Sequence, residues 1–425
     1  MIEFTGNVDD MTHSLGRRRL LVRLACVLGG IVVDPSTVVG ASPTRASVKP
    51  FRIQVEASVL EDLRARLQRT RWPDEFDNDD WRYGSNRSFL RTLVAYWATG
   101  YDWRAQETVL NRWSHFIADV DGQPIHFVHV RGGGPRPLPI LVTHGWPSTF
   151  TELLPLADRL AHPDRFGADP RDNFDVVVPS LPGFGFSPLR SGPQIARWRV
   201  AELWRRLMTE VLGYPRFVAH GGDIGAGITS RLGFAHEGWV TAIHLTAVRD
   251  PYLGPEAPGL SAREQQLVAE MKAWDAREGG YSHIQGTRPQ TLAYGLNDSP
   301  TGLAAWIVEK FRNWSDCGGD VERCFTKDQL LTTIMIYWVT ETMNSAMRYY
   351  FHSHEPWTIT AAERVDVPTG VAIFPKDLSR PPREWAERFY NVQHWTEMPR
   401  GGHFAASEQP DLLAADLRTF CRQFR

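Results

Sequence analysis

The sequence predicts an α/β fold. It reads as a mostly parallel, doubly wound sheet with a helical cap and an N-terminal extension region. Three observations predict it. Short apolar runs that read as strands alternate with helical stretches, as in a parallel sheet covered on both faces. One such run, Arg216-Phe217-Val218-Ala219, enters the glycine-flanked turn HGGDIG, and a helical pattern leaves it. The alternation pauses over Asp250 to Tyr350, rich in helix formers, Trp and Tyr, and resumes at Val367, which marks an insertion.

At 425 residues the chain suits one large α/β domain with insertions. Its 42% hydrophobic and 23% charged residues allow a sizeable core, and a net charge of -2 argues against nucleic acid or an acidic membrane surface as partner. The 16 tryptophans read mostly as core packing. The cysteines, Cys26, Cys317, Cys324 and Cys421, form no zinc-like pair of CxxC motifs. Buried or idle thiols are expected, although Cys317 and Cys324 could close a small loop in an oxidising compartment. His352 and His354 lack the i, i+4 spacing of a helical zinc site, so no metal or other cofactor is expected.

Residues 1–48 read as a leader. Arg17-Arg18-Arg19 precedes an apolar run from Leu20 to Val33 that Arg23 interrupts, and Val39-Gly40-Ala41 would suit a signal peptidase. Two readings stand. One is a twin-arginine export signal, with a mature chain starting near Ser42. The other, slightly favoured, is a disordered leader or a start codon upstream of the true one, with Met11 as a candidate, and a cytoplasmic protein.

The N-terminal region follows, over 49–132. Val59 to Arg69 predicts an amphipathic helix with Leu60, Leu63 and Leu67 on one face, and Ser58 with Glu61 has the spacing of a capping box. Trp81, Tyr83, Phe89, Leu90, Leu93 and Trp97 supply more apolar surface, the last four at helical spacing, for packing on the main domain. Pro124 to Val130 alternates as a strand. The first part of the core, 133–249, holds predicted strands at Pro139 to Thr143, Phe174 to Pro179 and Trp239 to Val248, with a helix over Gln194 to Leu212. The cap spans 250–355; the second part of the core, 356–425, brings a strand at Val367 to Phe374 and a closing helix at Leu412 to Phe424.

The chemistry centres on Asp223. A strained strand-to-helix turn lifts one side chain above the sheet and needs small residues on both sides, here Gly221 and Gly225. A plain turn with an Asp helix cap has the same local pattern. Further pieces favour the elbow: Asp377 in IFPKDLS and His403 in PRGGHFAASEQP stand in the chain order nucleophile, acid, histidine. The turn His144-Gly145-Trp146-Pro147 ends an early strand. Backbone N–H groups of Trp146 and Ile224 would form an oxyanion hole, with His144 as a structural turn residue rather than a base. Serine at the apex would suit attack on a substrate carbonyl. A carboxylate instead displaces a leaving group from saturated carbon and becomes an ester, which water activated by His403 can hydrolyse. An epoxide leaves as an alkoxide that needs a proton donor, for which a tyrosine is suited; a halide needs none.

These residues resemble the epoxide hydrolases of the α/β-hydrolase superfamily, in the microsomal and juvenile-hormone branch. The resemblance runs from Lys49 to the C-terminus, through LEDLRARLQRTRWPDEF, HGWPSTFTELLPL, GGDIGAGI, GGYSHIQGTRPQTLAYGLNDSPTGLAAWIVEKF, MRYYF, FPKDL and RGGHFAASEQPDLLAADLRTF. It implies hydrolysis of a small-molecule epoxide with water to a vicinal diol, with Asp223 as nucleophile, His403 as base and Asp377 as its partner. Tyr281 and Tyr350 match the family's ring-opening tyrosines, with Tyr349 next to the second. Ile224 stands where relatives often have Trp, and Asp377 where some have Glu. The alternative is a haloalkane dehalogenase using the same nucleophile; a non-catalytic binding module ranks last. The identity of the epoxide and the oligomeric state, a homodimer included, stay open.

Overall fold

The computed structural model describes residues 48–190, 196–251, 253, 257–352 and 363–425. The expected leader, with Cys26, and His354 lie outside these residues.

The first strands are β1 (Val48–Phe51), β2 (His115–Val120) and β3 (Gln123–Val130), with helices α1 (Ala57–Gln68), α2 (Arg87–Thr99) and α3 (Trp103–Leu110) between β1 and β2. The first part of the core alternates β4 (Leu138–Thr143), α4 (Leu154–Ala161), β5 (Phe174–Pro179), α5 (Arg197–Arg206), β6 (Phe217–Gly221), α6 (Asp223–Ala235) and β7 (Val240–Leu245). Six cap helices are described: α7 (Ala262–Glu278), α8 (Gly280–Thr287), α9 (Pro289–Asp298), α10 (Pro300–Trp314), α11 (Lys327–Thr340) and α12 (Met343–His352). The chain returns through β8 (Val365–Ile373), α13 (Arg383–Glu387), β9 (Tyr390–Glu397), α14 (Ala405–Glu408) and α15 (Pro410–Cys421).

Among the described residues these strands form one sheet in the order β1-β2-β3-β5-β4-β6-β7-β8-β9. From β5 to β9 every pairing is parallel; β1, β2 and β3 extend the sheet antiparallel, with β3 against β5. The N-terminal region therefore shares the sheet of the core across the expected division at residue 132. The parallel strands are buried on both faces: all of β5 and β6 is buried, and Ile140, Val176, Val218 and Ile243 are fully enclosed. The chain leaves β4 toward β5 and later returns on its other side with β6, so the crevice beyond their carboxyl ends lies at a switch point of the topology.

Local differences from the sequence reading have physical reasons. Helix α1 begins at Ala57, with Glu56 in extended conformation as N-cap and no side-chain cap bond. Ser58 is thus already helical and cannot cap, so the Ser58–Glu61 capping box does not form. Its apolar face is as expected, with Leu60, Leu63 and Leu67 buried. Tyr83 is 72% exposed and adds nothing to the core, whereas Leu90, Leu93 and Trp97 on α2 are buried. The long helix before β6 is α over Arg197–Arg206 and then a π turn over Leu207–Val211. Cys317, Cys324 and Cys421 are free thiols.

Candidate active site

Four loops at the carboxyl ends of parallel strands converge. β4 runs into His144-Gly145-Trp146, β6 into Asp223, β8 into Asp377 and β9 into His403. Asp223 has φ 49°, a left-handed conformation that costs a residue with a Cβ and marks a strained turn. Glycines around the turn permit it by close approach. A Cβ on Gly225 would overlap the Thr143 carbonyl, and one on Gly145 would overlap the Asp223 carboxylate.

Two backbone N–H groups hold that carboxylate. Trp146 donates to Asp223 Oδ1 at 2.8 Å, and Ile224 donates as well. His403 Nε2 stands 3.5 Å from Asp223 Oδ2, and His403 Nδ1 lies 2.7 Å from Asp377 Oδ1. The Asp377 bond orients the ring so that, in the neutral form, Nδ1 carries the proton and the unprotonated Nε2 faces Asp223. Burial pushes the Asp223 carboxyl up, but the hydrogen bond and charge of His403, with the two N–H groups, bring it below the ordinary aspartate value. For His403 burial lowers the imidazole's proton affinity, and the charge of Asp377 with the bonds to both carboxylates raises it well above normal.

The histidine loop is fixed from the cap side. His403 N–H donates to Trp314 O at 2.8 Å, Gly401 N–H to Asp316 Oδ2 at 2.9 Å and Gly402 N–H to Glu408 Oε2 at 3.1 Å. His144 is buried; its Nδ1 lies 3.0 Å from Gly145 O and its Nε2 accepts from Leu181 N–H. Burial lowers it to about 4, as befits a neutral turn residue.

A cavity of about 230 Å³ opens over Asp223. Tyr281 on α8 and Tyr350 on α12 line it together, with ring centroids 5.7 Å apart. Their hydroxyls are hydrogen-bonded to each other. Burial pushes both phenols up, so each holds its proton as a donor. Tyr349 also lines the cavity, but its ring packs on Phe184 and its buried hydroxyl has no hydrogen-bond partner among the described residues.

Three residues escaped the sequence reading. Lys310 on α10 is buried, ion-paired with Glu309, and its Nζ sits 4.8 Å from the Tyr281 ring centroid. Glu152 lines a water-sized space of about 20 Å³ behind Asp223 and His403. Arg197, the first residue of α5, reaches the cavity wall. A single basic or acidic residue in a helical stretch carries no pattern that betrays such a contact. Among the described residues no cluster of His, Cys, Asp and Glu is arranged to hold a metal, and no helix is long and apolar enough to cross a membrane.

Comparison with known proteins agrees with this geometry. A family profile described as Epoxide hydrolase N terminus matches residues 48–153, and one described as Alpha/beta hydrolase family matches residues 140–416. A Stigmatella aurantiaca protein named provisionally as an epoxide hydrolase is 43% identical over 384 residues, 89% of this chain and 86% of that one. Epoxide hydrolase 1 of Sus scrofa is 35% identical, over 90% of each chain. The crystal structure of juvenile hormone epoxide hydrolase from Bombyx mori superposes with a TM-score of 0.81 at 29% identity, covering 89% of this chain and 95% of that one.

Proposed function

We propose, for a chain that belongs to the epoxide hydrolases of the α/β-hydrolase superfamily, that Asp223, His403, Asp377, Tyr281 and Tyr350 carry the conversion of an epoxide to a vicinal diol. The observation that carries this reading is a carboxylate at the elbow, held by two N–H groups, in one cavity with two tyrosines.

Trp146 occupies Oδ1, which leaves Oδ2 to attack. A lone pair of Oδ2 forms a bond to a ring carbon as the carbon–oxygen bond of the epoxide breaks. The departing oxygen gains negative charge and takes a hydrogen bond, then a proton, from the Tyr281–Tyr350 pair. The product is an ester of Asp223. His403 Nε2 then removes a proton from water, whose oxygen attacks the ester carbon, and Asp377 stabilises the imidazolium. Negative charge develops on Oδ1, where the N–H groups of Trp146 and Ile224 already point. Collapse breaks the bond between the ester carbon and Oδ2. The diol leaves with Oδ2 and the water oxygen stays in Asp223; of the two water protons, the one on His403 goes to the departing alkoxide and the one left on the Asp223 carboxyl restores the tyrosine, so every group returns to its starting state.

The dehalogenase alternative has less support. The relatives are named as epoxide hydrolases, Ile224 brings no ring N–H beside the nucleophile, and halide departure leaves the tyrosine pair without a task. The N-terminal region over 49–132 is best read as part of the same folding unit, since its strands complete the sheet that carries the site.

The test is a trap. His403→Gln is expected to form the ester and fail to hydrolyse it, so mass spectrometry after incubation with an aryl epoxide should find the adduct on the peptide containing Asp223. An unmodified peptide from a variant that still turns over would sink the assignment.

A further inference from the structure

The mechanism assigns no task to Arg197. Its guanidinium lines the same cavity as Asp223, Tyr281 and Tyr350. Among the described residues it makes no hydrogen bond and no ion pair; Asp223 and Tyr350 act on it only through longer-range charge. Arg197 is half-buried, and a cation partly withdrawn from water is ordinarily paired.

Its position adds to the cost. Arg197 opens α5, at the positive end of the helix dipole, and the first turn of α5 has neither an acidic residue nor a side-chain cap. The side chain crosses α6 at Gly227, where a Cβ would stand 3.2 Å from Arg197 Cδ and 3.3 Å from its Nε. Gly227 thus leaves the channel through which the arginine reaches the site. Arg249 lies close enough for the charge of Arg197 to depress it, and the carboxylates of Asp223 and Asp377 share the cavity with Arg197 without pairing with it. Asp223 gives up its own negative charge when it becomes an ester, which removes one of the two carboxylates that share the cavity with Arg197.

We propose that Arg197 is a specificity-determining residue that receives a carboxylate of the substrate, so that the preferred substrate is a compact epoxide carrying a carboxylic acid group. This rests on the epoxide-hydrolase reading above and deepens it. The planar guanidinium matches a carboxylate with two parallel N–H···O bonds. A single guanidinium suits a monoanion rather than a doubly charged phosphate ester. At about 230 Å³ the cavity is below the usual range for drug-sized ligands, which favours a short molecule. The apolar remainder of the wall, Ile224, Ala247 and Leu378, suits the carbon chain between the two polar ends.

The experiment compares three terminal epoxides of equal chain length: one ending in a carboxylate, its methyl ester, and the matching alkane epoxide. The readout is the ratio of kcat/KM, acid over alkane epoxide, in wild type, Arg197→Met and Arg197→Lys. Each ratio is taken on one protein sample, so a partly unfolded variant does not distort it. Wild type is expected to favour the acid, the ratio to fall about ten- to a hundredfold in Arg197→Met, and Arg197→Lys to recover part of it. The loss should lie mainly in KM, since the anchor holds ground state and transition state alike. A ratio that stays within twofold across the three proteins overturns the assignment of Arg197. A wild type that opens none of the three epoxides overturns the epoxide-hydrolase reading itself.

Discussion

Trp146 and Tyr281 lie face to face, with ring centroids 5.2 Å apart and planes 7° from parallel. One residue therefore serves both halves of the proposed reaction. The backbone N–H of Trp146 holds Asp223 Oδ1, and its indole supports the tyrosine that faces the opening ring. Trp314 packs at an angle against this pair, 5.0 Å from Tyr281, and edge-on to His403 at 5.2 Å, and its carbonyl anchors the His403 backbone. Cap and core are coupled through aromatic contacts at the site itself.

The tyrosine pair yields the first prediction. Tyr281→Phe and Tyr350→Phe should each slow ester formation about ten- to a hundredfold, the worth of a hydrogen bond to a charged oxygen. The remaining hydroxyl still donates, so the double variant should be slower than either. Single-turnover fluorescence quenching would report the step. If both single variants alkylate at the wild-type rate, the pair does not assist ring opening.

Lys310 presents its ammonium to the ring of Tyr281. A cation on a phenol ring favours the electron-rich form that develops as the hydroxyl gives up its proton, by as much as about 2 kcal/mol when desolvated. Lys310→Met should therefore slow ester formation by up to about thirtyfold, with Lys310→Arg closer to wild type. Ester hydrolysis, which does not use Tyr281, should change less. Equal losses in both steps would assign Lys310 to packing alone.

Gly225 tests the elbow. Alanine there meets the Thr143 carbonyl, which is backbone in a buried strand and cannot yield cheaply. Gly225→Ala should cost about 1–3 kcal/mol in urea unfolding and reduce activity further, because Asp223 sits two residues away. Gly238→Ala faces open space and should stay within about 0.5 kcal/mol. Indistinguishable unfolding curves for the two variants would contradict the close approach.

Glu152 makes stability depend on pH. Burial, with the charges of Asp223 and Glu408, outweighs a Ser148 hydrogen bond and the charge of His403, raising its carboxyl from the ordinary 4.5 to about 7. The folded state thus holds this proton more tightly than the unfolded chain. Its contribution is fully present below about pH 4.5, is lost as pH rises through about 7, and is constant above. Glu152→Gln stays neutral, so relative to wild type it should gain on the order of 3 kcal/mol between these limits. Melting temperatures of both proteins across this range check it; a difference that does not change with pH refutes it.

Much of the architecture is legible in the sequence. The strand Phe174 to Pro179 is found at its expected bounds, and β4, β6, β7 and β8 lie within a few residues of theirs. All are buried parallel strands, whose continuous apolar runs stand out. β2 and β9 passed unread: HFIADV and YNVQHWTE mix polar residues into the run because they lie partly exposed toward the two sides of the sheet. The capping box at Ser58 has the right letters two residues too late, since spacing alone does not say which residue leaves the extended conformation last.

What the sequence determined by itself was local. An aspartate between glycines two residues away on either side, after an apolar run, specifies a tight elbow, because the clash that excludes larger residues acts over a few bonds. Only the tertiary structure decided which distant groups meet there. It turned Tyr350 toward Tyr281 and left Tyr349 against Phe184, it brought Arg197 and Lys310 to the cavity, and it tied the His403 loop to Trp314. Those contacts join residues tens to hundreds of positions apart. They depend on the summed packing of sheet and cap, which no short stretch of chain contains.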